Sequence, residues 1–219
     1  MTAKERRTMI KLRRKAIYPE KLEVLYDAPF TKESLERDFD IKDGNWYVDD
    51  EGWLVGSNPN SSAAMVMTKG DYFGDVLVEV DAATVLPATR DINITIHGSW
   101  NEEKNTREQG YVYGLEGWWE GFVGFEQSPK YDLVVNSKLL DFKPGKVYHL
   151  EIGNIGRDTF FAVDGVVALN VTSNDPIDTE KFGKVGFEAF CTKVKYKNFK
   201  IKRLVAEDAW TPYVPEFED

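Results

Sequence analysis

The side chains best suited to chemistry in this 219-residue chain gather in two neighbouring stretches, "DINITIHGSWNEEKNTREQG" (91–110) and "GYVYGLEGWWEGFVGFE" (110–126). The first carries His97, one of only two histidines, followed by Trp100 and Arg107 in a long polar run of the kind that binding loops use. A histidine is a ready base near neutral pH. On a wetted strand face His97 is placed to take the proton beside the carbonyl of an oxidised sugar, with a tyrosine or Arg107 steadying the developing oxyanion. The other histidine, His149 in "VYHLEIG", reads as an ordinary strand residue.

The second stretch offers Glu116 and Glu126. If 117–121 is a hairpin loop, 116 faces 122, 114 faces 124 and 112 faces 126. The two glutamates then stand roughly 13 Å apart, at about 3.3 Å per residue. Retaining glycosidases need about 5 Å and inverting ones about 6.5–9.5 Å. These two do not work as a pair, although either one has partners to choose from in Glu102, Glu103 and Glu120.

The same register sorts the hairpin into faces, because directly paired residues share one. Tyr111, Tyr113, Leu115, Val123 and Phe125 form a core face; Val112, Gly114, Glu116, Phe122, Gly124 and Glu126 form the other. Gly114 opposite Gly124 predicts a bare strip of backbone, and glycine inside a strand marks close approach by a ligand or by another backbone. Trp118 and Trp119, in the loop above, offer flat apolar faces and N–H groups suited to sugars. The stretch thus reads as a shallow floor with an aromatic lid, or else as a glycine-relieved bend in a curved sheet.

The elements that hold these residues are strands. "DVLVEVDA", "DINITIHG" and "VYHLEIG" alternate apolar and polar residues with a period of two, which marks strands with one buried face. Turn signals punctuate them: "DDEG" at 49–52, "KPGK" at 143–146, and Asp164-Gly165 between apolar runs. About fourteen such runs at regular spacing suit a sandwich or barrel. "VKYKNFKIKRL" alternates too, with a one-residue slip near Asn198 and lysines on the exposed positions.

Only "TAKERRTMIKLRRKAIYPEKL" breaks the pattern, with Met9, Leu12 and Ala16 at helical spacing and Pro19 as a stop. The chain therefore divides into a basic N-terminal helix or arm (1–18), a β-sandwich (19–204) and an acidic tail (205–219) carrying Trp210, Tyr213 and Phe217. The arm reads as a cover for the acidic body or for a neighbouring subunit. The tail's rings suit docking on its own domain or on a sister copy, so a homo-oligomer through either end is expected.

Bulk composition narrows the partners. A net charge of −9 disfavours free nucleic acid, even though Lys4, Arg6, Arg7, Lys11, Arg13, Arg14 and Lys15 cluster at the start. The chain has no apolar run of the roughly 18 residues a membrane helix needs, and no apolar core follows the basic start as in a secretory signal. With a single cysteine, Cys191, no intrachain disulfide forms, and a cytoplasmic location is expected. Zinc spacings, EF-hand spacings and a glycine-rich phosphate loop are all missing.

"LYDAPFTKESLERDFDIKDGNWYVDDEGWLVGS" resembles the opening of concanavalin A-like jelly-roll domains, a strand, an acidic loop and a tryptophan-bearing hairpin. "KVYHLEIGNIGRDTFFAVDGVVAL", "GKVGFEAF" and "VKYKNFKIKRL" are similar to their closing strands. The resemblance covers roughly 22–204 and is nearest to the keto-glycoside hydrolase/lyase-like and laminin G-like branches. "GFVGFEQ" has one glutamate where the endoglucanases of this fold carry three acids, so their catalytic residues are not carried over.

The resemblance implies an all-β, two-sheet antiparallel jelly-roll sandwich, with a short N-terminal helix, that meets a small saccharide on its concave face. No cofactor is obligatory, and calcium, a common accessory of the fold, has room. The expected site joins His97, Glu116 and Glu126 as catalytic candidates with Trp100, Arg107, Tyr113, Gly114, Trp118, Trp119, Phe122 and Gly124 around the sugar. These residues serve an enzyme, a sugar-binding module or an assembly subunit alike; fold does not choose among them.

Overall fold

The computed structural model describes residues 9–117, 122–131, 134–138 and 140–209, and of 59–62 the backbone only. In chain order the strands begin with Ile10–Lys11 (β1), Lys15–Ile17 (β2) and Val24–Tyr26 (β3), followed by the α-helix Lys32–Asp38 (α1). Next come Phe39–Asp43 (β4), Asn45–Val48 (β5), Leu54–Thr68 (β6), Val76–Thr84 (β7), Ile92–Asn101 (β8) and Thr106–Leu115 (β9). The chain closes with Val123–Ser128 (β10), Val134–Ser137 (β11), Tyr148–Ile155 (β12), Asp158–Val163 (β13), Val166–Thr172 (β14), Lys184–Arg203 (β15) and Glu207–Asp208 (β16).

Two long strands tie two antiparallel layers together. The first half of β15 pairs with β8 and with the second half of β6; its second half pairs with β7 and with the first half of β6. The change of partner falls at Cys191, which has a φ of 50° and sits at a register shift between Phe190 and Thr192, as a bulge that re-aims a strand should. The front layer therefore runs β11-β10-β9-β8-β15-β6-β4, and the back layer β14-β13-β12-β7-β15-β6-β5. Apolar residues of both layers, among them Ile94, Tyr113, Phe125, Val78, Ile152, Phe161 and Phe187, meet in one core. The all-β sandwich expected from the alternation is what the chain forms.

Local signals act as their chemistry predicts. Asp164 and Gly165 both take positive φ, 51° and 76°, and close β13 on β14 with Val163 opposite Val166. The slip near Asn198 appears as a register shift between Lys197 and Lys200 against β7.

The N-terminal helix is a correction. Residues 10–17 form a hairpin with Ile10 opposite Ile17, and β16 joins it as a third strand, Glu207 opposite Ala16 and Asp208 opposite Lys15. The small sheet packs Ile10, Leu12 and Ile17 on Leu77, Phe160 and Leu204. A helix here would be short and marginal alone; the strand form gains a backbone partner and the ion pair between Lys15 Nζ and Asp208 at 2.6 Å. The molecule's short helix is α1, started by a capping box between Thr31 and Ser34. No helix among the described residues is long and apolar enough to cross a membrane.

Candidate functional site

The hairpin of β9 and β10 has the register that the sequence implies: Gly114 lies opposite Gly124, Val112 opposite Glu126 and Leu115 opposite Val123. Tyr111, Tyr113, Leu115, Val123 and Phe125 enter the core. Gly114, Gly124 and Glu126 accordingly turn to the outward face of the front sheet. Pairing extends the row across five strands, as Glu188, Asn93, Gly114, Gly124 and Asn136. The next row reads Gly186, Thr95, Val112, Glu126 and Val134.

The strip is not bald, and here the expectation is corrected. Val112, Gly114, Gly124, Asn93, Thr95, Glu126 and Glu188 are all buried, although they stand on the face away from the core. Arg107 spans them. Its Nη1 donates to Glu188 Oε1, and its Nη2 donates to Glu126 Oε1 at 3.3 Å and to the hydroxyl of Tyr131 at 3.2 Å. Thr95 donates to Glu188 at 3.0 Å. Asn93 donates through Nδ2 to Asp91 at 2.7 Å, and Asp91 also accepts the backbone N–H of Phe190 at 3.2 Å. The face is thus a closed polar layer in which two carboxylates, Glu126 and Glu188, share one guanidinium and a third, Asp91, is held by Asn93 and the Phe190 N–H.

Burial dominates the electrostatics. It pushes the carboxyl of Glu126 up to about 7, against the pull of Arg107 and with the help of Asp91. It pushes Asp91 up to about 6, against its bonds from Asn93 and Phe190 and the charge of Arg90. Two polar atoms in the layer are buried with no partner, Asn93 Oδ1 and Arg107 Nε.

Trp100 is paired with Arg107 and so shares its face. The indole borders a cleft of about 250 Å³ that Met67, Lys42, Phe182 and Lys184 also line, and its Nε1 is buried without a partner. Open cleft and closed layer adjoin at the Trp100–Arg107 step.

Other expected residues fall elsewhere. His97 is buried on the core side: a bulge between Ile96 and Ser99, with a φ of 50° at His97, breaks the alternation that would have turned it outward. Its Nδ1 donates to the carbonyl of Phe182 at 3.0 Å, and Nε2 lies 2.8 Å from Asn154 Oδ1. Burial lowers its pKa, with the Asn154 and Phe182 contacts opposing. It cannot serve as a base on the outward face. Tyr113, expected around the sugar, is likewise in the core, its hydroxyl bonded to Thr159, and does not reach the outward face.

Glu116 caps the strand with a φ of 53° and donates its N–H to the carbonyl of Phe122 at 3.3 Å, beyond the network. Trp118 and Trp119 lie outside the described residues. His149 pairs with Asp81 at 2.6 Å, on the back sheet. Among the described residues no group of three or more His, Cys, Asp or Glu is arranged to hold a metal ion. Glu188, Asp91, Asn93 and Thr95 were not picked out by sequence reasoning, although the alternation in "GKVGFEAF" does set Glu188 opposite in sense to Val185, Phe187 and Ala189.

No protein-family model matches the chain, and no curated protein does. Solved structures do. The carbohydrate-binding module CBM66 from Bacillus subtilis aligns with a TM-score of 0.61 at 15% identity, over 75% of this chain and 94% of its own. A protein of unknown function with a galectin-like fold, also from Bacillus subtilis, gives 0.67 at 14% identity, over 84% and 97%. A candidate glycosyl hydrolase from Parabacteroides distasonis gives 0.55 at 18% identity, over 82% and 100%. Identities this low establish the fold alone: a jelly-roll β-sandwich of the galectin-like kind.

Proposed function

We propose that the protein binds a saccharide on the outward face of the front sheet, between Trp100 and the Gly114–Gly124 pair. The observation that carries this reading is Arg107, held by Glu126 and Glu188 beside two facing glycines. Burying charged groups on a sheet face that could have been left wet is costly, and packing the sandwich does not require it. A ligand site does, because hydroxyl recognition rests on charged groups fixed in advance. The indole supplies a flat face for such a surface, and the two glycines put no side chain in the way. Two of the structural neighbours are named for carbohydrate binding or glycoside hydrolysis, which supports the class of ligand and no particular activity.

A thermal-shift and calorimetric screen of mono- and oligosaccharides tests it, since a ligand of the folded state raises the melting point. Arg107→Lys and Trp100→Ala are expected to weaken the best ligand at least tenfold. A screen without any hit sinks the proposal.

Glycoside hydrolysis on the same ground is the second reading. It is favoured by two carboxylates sharing one guanidinium, with Glu126 still protonated near neutral pH and so able to act as a general acid. Turnover of aryl glycosides that disappears in Glu126→Gln would establish it; absence of turnover leaves a binding module.

A further inference from the structure

Most buried donors of the polar layer are committed; Arg107 Nε is the exception. The hydroxyl of Thr95 goes to Glu188, the Nδ2 of Asn93 goes to Asp91, and both terminal nitrogens of Arg107 go to carboxylates. The larger surplus is in acceptors. Asn93, 1% exposed, presents an Oδ1 with no partner in the row next to Gly114, while Glu126 and Glu188 share the guanidinium of Arg107 and Asp91 adds a third carboxylate against Arg90 alone. Leaving a buried acceptor unpaired is costly, so the missing partner is a donor.

Charge selects among donors. The groups facing this ground are Asp91 at the start of β8, Glu126 on β10, Glu188 on β15, Arg107 on β9, and Arg90, which acts on Asp91 from the preceding loop. Glu116 stands one row further along. The phenol of Tyr131 meets Arg107, and that of Tyr196 donates to the Asn93 carbonyl and adds no charge. A hydroxyl donates one hydrogen and leaves the carboxylates uncompensated. An ammonium donates three and brings the charge they lack. Arg107 Nε, a buried donor with no partner, fits a neutral oxygen of the same ligand.

Resting on the saccharide reading above, we infer that the ligand is an amino sugar with a free, protonated amine, its nitrogen seated at Asn93 Oδ1 between Asp91 and Glu126. Arg107 and Tyr131, the latter 46% exposed, are where the layer meets solvent and where such a ligand arrives.

Calorimetry on the full chain with glucosamine, galactosamine and mannosamine decides it, each amine set against its parent hexose and its N-acetyl derivative. At pH 7.5 at least one amine is expected to bind tenfold or more tighter than both neutral counterparts. Its advantage shrinks toward unity at pH 5, where Asp91 and Glu126 hold their protons. In Glu126→Gln and Asp91→Asn, each confirmed folded by its melting curve, the ratio of amine to hexose affinity also falls toward one. A hexose or N-acetyl sugar that binds as tightly as every amine overturns the inference while leaving the saccharide reading intact. If no sugar of any kind binds, both fall together.

Discussion

Nη2 of Arg107 lies 3.3 Å from Oε1 of Glu126, while its Nη1 is given to Glu188. One guanidinium therefore answers two buried carboxylates, and Glu126 is the one left under-compensated.

That arrangement fixes a pH dependence. The carboxyl of Glu126 rises from 4.5 to about 7 on folding, so the fold favours its protonated form. Its contribution to stability is whole below pH 4.5 and is lost as pH rises through 7. Glu126→Gln, neutral at every pH, should therefore gain on the parent protein between pH 5 and pH 8, by about 2 kcal/mol. Urea unfolding of both proteins at the two pH values reads the difference; a gap that stays constant refutes the assignment.

Trp46 and Gly56 are directly paired between β5 and β6, and the indole covers the glycine. A Cβ at 56 would lie 2.3 Å from Cζ3 of Trp46, whose ring is held by stacking on Tyr196 and by its Nε1 donating to the Asp43 carbonyl at 3.0 Å. With both faces of the ring constrained, Gly56→Ala should cost about 1–3 kcal/mol by overpacking. Equilibrium denaturation measures it, and Gly56→Ala combined with Trp46→Phe should recover part of the loss.

How much of this was legible in the sequence depends on how far each signal reaches. The 110–126 register could be read because facing glycines, alternating rings and a short loop all lie within one hairpin. Asp164-Gly165 and the slip at Asn198 were legible for the same local reason. The N-terminal strands were not. Ile10 opposite Ile17 and Met9, Leu12, Ala16 on a helix face are patterns of the same residues, and the deciding strand, Glu207–Asp208, is nearly the whole chain away. His97 failed through a single bulge, which inverts a face without any mark in the residue types. The glycines announced open floor, but nothing in the spacing said that Arg107 would reach across it to a carboxylate on β15.

Its placement makes His97 a structural residue, and its substitution tells the two roles apart. Its ring bonds the Phe182 carbonyl and faces Asn154, whose Oδ1 also accepts the N–H of Val76 and whose Nδ2 donates to Asp75 at 2.9 Å. His97→Ala should lower stability by about 1–3 kcal/mol through these unmade bonds. Because burial lowers the imidazole pKa, the neutral ring's contribution is full above the ordinary histidine range and fades as pH falls below it. Saccharide affinity should be unchanged, since the ring lies on the core side of the sheet; a tenfold loss of affinity in a folded His97→Ala protein would return the residue to the site.

The N-terminal hairpin gives the last prediction. Ile17 is fully buried in the small core with Leu77, Phe160 and Leu204, whereas the ion pair of Lys15 with Asp208 is exposed, Asp208 at 86%. Apolar burial should outweigh the surface pair. Ile17→Ala is expected to cost about 2–4 kcal/mol, and Lys15→Ala less than about 1 kcal/mol. Removing residues 1–18 should uncover Leu77, Phe160 and Leu204 on the back sheet, lowering the melting temperature and promoting association. Light scattering and melting curves check both effects, and a truncated chain that melts like the full one would show that the hairpin contributes nothing to the body it covers.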